Sequence, residues 1–191
     1  MLMLAAFDRA LSDHCDAVKD VREQCALIET VAKRIYDSII GGRKVLWCGN
    51  GGSASESQHL SAELVGRYRL NRPPVASVSL NADCCVITAV ANDYGYAETF
   101  SRQVRALCKP GDVFIGLSTS GESDNVCTAL RVARQLRAHT VAMTGRVGGR
   151  LALLADDWIH VESEDTARIQ EVHLLIGHML CEWVEATLNC V

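Results

Sequence analysis

Five short runs rich in apolar and β-branched residues recur along the chain, at 44–48, 75–79, 113–117, 140–144 and 158–161, with helix-compatible segments between them. Such short, mostly apolar runs can be strands buried on both faces. The intervening segments read as helices at 53–68, 82–107, 124–137 and 148–154, followed by a last helix at 167–188. Alternation of strand and helix implies a parallel sheet with right-handed crossovers and helices on both faces. The expected fold is α/β, a three-layer arrangement around a five-stranded parallel sheet.

Ahead of the first strand, residues 4–40 carry a helical rhythm without proline or glycine, which Gly41-Gly42 ends as one long or two broken helices. Pro73, Pro74 and Pro110 each stand just before a strand, and no repeat or low-complexity linker divides the chain. A length of 191 residues fits one domain, 1–191, with a helical segment at 1–40 and an α/β core at 41–191. Apolar residues at 49% and charged residues at 22% are ordinary for a globular protein and unlike a disordered chain. A net charge of -4 provides no general field for nucleic acid or an anionic membrane, so neither is an expected partner. An anionic ligand needs a local site instead.

The nine cysteines are odd in number, Cys84 and Cys85 are adjacent, and no CxxC pair occurs, so buried reduced thiols are expected. The start, Met1 to Phe7, runs at once into Asp8 and Arg9, too short for a signal sequence and lacking its basic leader. A reducing, cytoplasmic location follows as an expectation. In the last helix Ile169, Val172, Ile176, Leu180, Trp183 and Val184 form a stripe that Leu174, Leu175 and Met179 widen. Packing on two sides, and hence a homo-oligomer, is the expectation; burial within one subunit is the alternative.

Two loops can hold an anion. The first strand leads into Gly49-Asn50-Gly51-Gly52-Ser53 and the third into Ser118-Thr119-Ser120-Gly121-Glu122-Ser123, each directly before a helix. Glycine lets the backbone approach a ligand, and a helix N-terminus offers free N–H groups and about half a positive charge. A tight βα turn accounts for the first loop equally well, and one or two hydroxyls of the second serve as helix caps. Four hydroxyls within six residues exceed that need. No GK[ST] or GxGxxG pattern is present, which favours a small phosphate ester over a nucleotide.

These loops resemble those of the sugar isomerase (SIS) domain, whose serine-rich loops bind sugar phosphates on a flavodoxin-like sheet. The segments His59-Leu60-Ser61-Ala62-Glu63-Leu64-Val65-Gly66-Arg67-Tyr68, Ala91-Asn92-Asp93 and Ala167-Arg168-Ile169-Gln170-Glu171 resemble one SIS family, the sedoheptulose 7-phosphate isomerases of bacterial heptose synthesis. The resemblance covers nearly the whole chain. It implies an aldose-ketose isomerase making D-glycero-D-manno-heptose 7-phosphate, the first step toward the activated heptose of glycans such as lipopolysaccharide, and a homotetramer.

Such a reaction needs a base to move a proton between C1 and C2 and an acid to serve the two enediol oxygens. The resemblance assigns these roles to Glu63 and His178. It places substrate contacts at Asn50, Gly51, Gly52, Ser53, Glu63, Arg67, Asn92, Asp93, Ser118, Thr119, Ser120, Ser123 and Gln170. It also places zinc on His59, Glu63, Gln170 and His178. His59 and Glu63, four apart on one helix, share a face, a spacing that suits a divalent metal. The metal and acid-base roles compete for the same lone pairs, and both remain open. Gln170 and His178 lie eight residues apart, ~12 Å of rise and about 80° of rotation on a straight helix. Only extended side chains bring both to one ion. Taken singly, a glutamate on such a helix is ordinarily solvated, and His14, His139, His160 and His173 read as structural. Many members carry Asp where this chain has Ala167, which removes one possible sugar contact. Two other readings compete: a non-catalytic binding protein similar to the replication-initiator-associating factor, which lacks the Glu and His, and a sugar-phosphate sensor.

Overall fold

The computed structural model describes residues 2–189. Five strands, β1 (Val45–Cys48), β2 (Ser77–Ser79), β3 (Val113–Ser118), β4 (His139–Gly145) and β5 (Asp157–Val161), form one sheet in the order β2-β1-β3-β4-β5. Every neighbouring pair is parallel, with Val45 opposite both Ser77 and Val113, and Val113 opposite His139. The expected five-stranded parallel sheet is thus present, and its order is the flavodoxin-like one.

Alternation along each strand divides the core into two layers. Val45, Trp47, Ile115, Leu117 and Met143 face one side, where they meet α2 (Cys25–Ile40), α3 (Gly52–Val65) and α8 (Thr166–Asn189). Leu46, Cys48, Phe114 and Ala142 face the other, against α5 (Ser101–Leu107), α6 (Asp124–Gln135) and α7 (Gly149–Leu154). Both sides of β3 are covered, which is why its sequence is apolar without alternation. On α8 the stripe Ile169, Val172, Ile176, Leu180 and Val184 is fully buried, each such side chain contributing about 1.5–3 kcal/mol.

Several boundaries differ from expectation. The N-terminal segment is two helices, α1 (Leu2–Lys19) and α2, joined by a 3-10 stretch at Asp20–Gln24. The helix expected over 82–107 is broken into α4 (Cys84–Tyr94), a 3-10 turn at Tyr96–Glu98, and α5, because Gly95 takes a φ of 89° that ends α4. Strand β2 starts at Ser77 rather than 75, since the Val75 amide bonds to Leu64 on α3 instead of to the sheet. Helix α3 stops at Val65 before Gly66, short of the expected 68. Of the cysteines, Cys48, Cys127 and Cys181 are buried as expected, whereas Cys15, Cys25, Cys84 and Cys85 are exposed. They sit on the outer faces of α1, α2 and α4, where small apolar residues meet no second layer; none of the eight described cysteines is bridged.

Candidate active site

The strand order reverses between β1 and β3, and in open parallel sheets ligands bind at the carboxyl ends of strands at such a point. The loops after these two strands are the glycine and serine loops singled out in the sequence. Asn81, which no motif marked, pins the first: it accepts the Gly49 amide at 3.1 Å, donates to the Gly49 carbonyl at 2.8 Å and accepts the Ser57 hydroxyl at 2.9 Å. Gly51 takes a φ of 58°, a conformation that glycine adopts without a Cβ penalty.

Between the loops lies a cavity of about 310 Å³, lined by Asn50, Gly51, Gly52, Ser53, Ser118, Thr119, Ser123 and Gln170, with Thr166 at its edge. Neither α3 nor α6 has a side-chain cap at its first turn, so both helix N-termini present their positive ends there. The Ser118 and Ser123 hydroxyls bond to each other at 2.9 Å, so Ser123 does not serve as a cap. Ser120 is exposed, lies outside the cavity lining and accepts the Glu122 amide at 3.2 Å, a turn bond ahead of α6 and not a helix cap. Asn50 is held by reciprocal amide bonds with buried Asn125, at 2.8 and 2.9 Å, and accepts the Tyr96 hydroxyl at 2.8 Å. Asn125 and Tyr96 were not legible as site residues, since the sequence does not say which segments meet across the sheet.

Below the glycine loop, Glu56 is buried and one of its carboxyl oxygens has no partner. Burial pushes its pKa up to about 7, with the Ser53 hydroxyl opposing. A protonated Glu56 adds no negative charge beneath an anion site.

Further along the same pair of helices, His59 and Glu63 on α3 meet His178 on α8. The two Nε2 atoms are 2.9 Å apart, His59 Nε2 lies 3.5 Å from the Glu63 carboxylate, and one ligand atom from each residue falls within 4.8 Å of the others. Burial, then His59 and Arg69, hold the His178 pKa below its usual value against the pull of Glu63. Gly177 makes this meeting possible. A Cβ there would collide with the Leu60 side chain, so α8 can approach α3 closely only through glycine. Tyr68 packs on His178 with ring centroids 5.5 Å apart. Its loop is fixed by buried Glu185, which accepts the amides of Tyr68, Arg69 and Leu70 at 2.7–2.9 Å and pairs with Arg72 at 3.1 Å.

The two helices align so that Gln170 sits over Gly52, where a Cβ would strike it, and His178 sits by His59. Gln170 thus lines the cavity at the loops. Arg67, Asn92 and Asp93 are exposed and belong neither to the cavity lining nor to the His-Glu group; Asn92 donates to Asp93 at 2.8 Å. Ala167 leaves its amide to Asp165 at 2.8 Å. Of the remaining histidines, His173 is fully buried and bonded to the Thr144 carbonyl, while His14 and His139 pair with Glu171 and Asp157.

Two imidazole nitrogens and a carboxylate oxygen are a donor set that suits zinc. Their 2.9 Å nitrogen separation is near the about 3.3 Å edge of a tetrahedron with Zn–N bonds of 2.0–2.1 Å. Side chains that close in an acid-base role must share a proton, and as ligands they need none.

The fold and the paired loops define the class. The sequence profile of the SIS domain matches residues 8–145, and the chain belongs to that family. Within it, the chain is 48% identical over 170 residues to a phosphoheptose isomerase of Akkermansia muciniphila, covering 89% of this chain and 90% of that one. The solved phosphoheptose isomerase of Francisella tularensis superposes with a TM-score of 0.93 at 34% identity, over 97% of this chain and all of that one. The one from Neisseria gonorrhoeae gives 0.91 at 35%, over 96% and 99%. The chain is thus a member of the phosphoheptose isomerase family.

Proposed function

We propose that this protein is an aldose-ketose isomerase that converts sedoheptulose 7-phosphate into D-glycero-D-manno-heptose 7-phosphate, the first step of activated-heptose synthesis. One observation carries the reading: an anion cradle at the first turns of α3 and α6, and a His-Glu-His group further along α3 and α8. Ser53 and Glu63 are ten residues apart on α3, which is ~15 Å of rise. From phosphorus to C1 an extended seven-carbon phosphate spans about 10 Å by its bond lengths, and the Glu63 side chain, leaning toward the N-terminus of α3, reaches over the remaining ~5 Å.

In this scheme the loop amides, with Ser53, Ser118, Thr119 and Ser123, hold the phosphate, and Ser120 closes over it from outside. Glu63 takes a proton from C1 and returns it to C2. His178, neutral at physiological pH because its pKa is lowered, exchanges the proton between the two oxygens of the enediol. Arg67, Asn92, Asp93 and Gln170 contact the sugar. His59, Glu63 and His178 are the residues that would hold zinc, and Gln170, which lies over Gly52, would join them only with its side chain turned toward them. A bound zinc would polarise the sugar carbonyl.

The whole chain, 1–191, acts as one domain, and its copies assemble as a homotetramer. Supporting assembly, α4 buries none of its side chains, and Leu4, Phe7 and Leu11 are exposed on α1. The eight described cysteines are free, which fits a reducing cytoplasm, and no described helix is long and apolar enough to cross a membrane.

The test is to follow aldose formation from sedoheptulose 7-phosphate by NMR. Glu63→Gln and His178→Ala are each expected to lower turnover at least about 100-fold. No turnover by folded, zinc-replete wild type would remove the isomerase reading in favour of a binding protein. A chelator that abolishes turnover, reversed by zinc, assigns the His-Glu-His group to the metal; full activity without metal assigns it to acid-base transfer alone.

A further inference from the structure

At the opposite end of the sheet, below the amino ends of β3 and β4, lies a second cavity, of about 700 Å³. Arg34 on α2, Arg43 after it, and Arg134 and Arg137 at the end of α6 line it, together with Asp37, Asp156 and His139. A volume of this size accommodates a small organic ligand. In a chain of net charge -4, four guanidinium groups around one cavity are a local reversal of sign.

The acidic groups there are already engaged. Asp37 pairs with Lys33 at 2.7 Å, and Asp156 accepts the Thr140 amide and hydroxyl at 2.9 and 2.7 Å and lies 3.4 Å from Arg134. His139 pairs with Asp157 at 2.7 Å. The Arg34, Arg43 and Arg137 side chains make no hydrogen bond or ion pair among the described residues, and the bonds that Arg43 and Arg137 do make are through their backbones. They are three positive charges around one hollow whose two lining carboxylates, Asp37 and Asp156, are paired with Lys33 and Arg134 instead.

Arg137 adds a second observation. It is the residue just past the end of α6, where the Ala138 amide bonds to Ala133 and the Arg137 amide to Arg134, the pattern that closes a helix on a left-handed residue. Its φ of 63° makes it the one non-glycine residue with positive φ among those described. Glycine would relieve a backbone penalty of roughly 1 kcal/mol, so arginine here costs stability and extends a guanidinium into the cavity.

We propose that this cavity is a second anion site, for a small molecule carrying two or more phosphate groups. Guanidinium groups match phosphate oxygens in bidentate fashion, and three of them, spread over α2, the turn after it and the end of α6, suit a ligand whose negative charge is spread over more than one phosphate. The site is separate from the sugar-phosphate loops by the length of β3, ~16–20 Å for six residues.

The probe is pyrophosphate, titrated calorimetrically into the intact protein. Binding that weakens with added salt is expected, and tighter than that of orthophosphate. Arg137→Gly should weaken it about tenfold while raising the melting temperature, a pairing that a merely structural arginine would not give. The triple variant Arg34→Ala, Arg43→Ala, Arg137→Gly should lose binding and keep wild-type turnover without pyrophosphate. No binding by wild type, equal binding of orthophosphate, or binding retained in the triple variant would overturn the proposal. So would loss on Ser118→Ala alone, which would assign the pyrophosphate to the other end of the sheet.

Discussion

Glu56 shows how one side chain couples the anion loop to pH. Its unfolded pKa is 4.5 and its folded value about 7, so between these the native state holds a proton that the unfolded chain releases. Stability therefore falls as pH rises across that window, by up to about 3 kcal/mol, and this contribution is fully present only below the unfolded value. Glu56→Gln removes the titration. Urea midpoints at pH 5 and pH 8 should differ less in this variant than in wild type, with the variant the more stable at pH 8; an unchanged difference would mean Glu56 is ionised in the fold. That the sequence flagged Glu63 and His178 but not Glu56 has a physical reason. A motif carries the first two, whereas the burial that perturbs Glu56 comes from packing that only the fold provides.

At the scale of elements, the site depends on how closely α8 approaches α3. Gly177 against Leu60 sets that distance, and the next residue is His178. Gly177→Ala is expected to force the helices apart, at a cost of about 1–3 kcal/mol for overpacking, and, if the His-Glu-His group holds zinc as proposed, to weaken that binding by misplacing His178 against His59 and Glu63. Thermal unfolding and a metal titration check the two effects; a variant with unchanged zinc affinity would show that α8 is not positioned through this contact. Glu185 acts similarly about two turns beyond, since its carboxylate holds the loop that carries Tyr68. Burial pushes that carboxyl up, yet the Leu70, Arg69 and Tyr68 amides and Arg72 outweigh it and keep it below the usual range. Helices α6, α7 and α8 were legible within a residue or two because their apolar faces are periodic. The break at Gly95 was not, because an isolated glycine reads equally as a tolerated helix residue or a stop.

For the whole molecule the open question is what covers α1 and α4. Phe7 is 61% exposed and Leu11 67%, and α4 reads CCVITAVANDY yet buries nothing. The proposed homotetramer would cover these surfaces with a second copy of the chain. Phe7→Glu should leave each subunit folded, since that side chain has little to lose within it, and should reduce the mass measured by light scattering. Wild type already monomeric at working concentration would dispose of the homotetramer.

The alternation of strand and helix, the two phosphate-type loops and the His59-Glu63 spacing followed from the sequence alone, because each is set by residues near one another in the chain. The strand order, the meeting of His178 with His59, the bracing of the loops by Asn81 and Asn125, and the arginine cavity below the sheet belong to the tertiary structure. The hydrogen bonds of the loop braces and the histidine pair join residues 24 to 119 positions apart, and chain entropy leaves such pairings undetermined until the buried faces of the sheet select one packing.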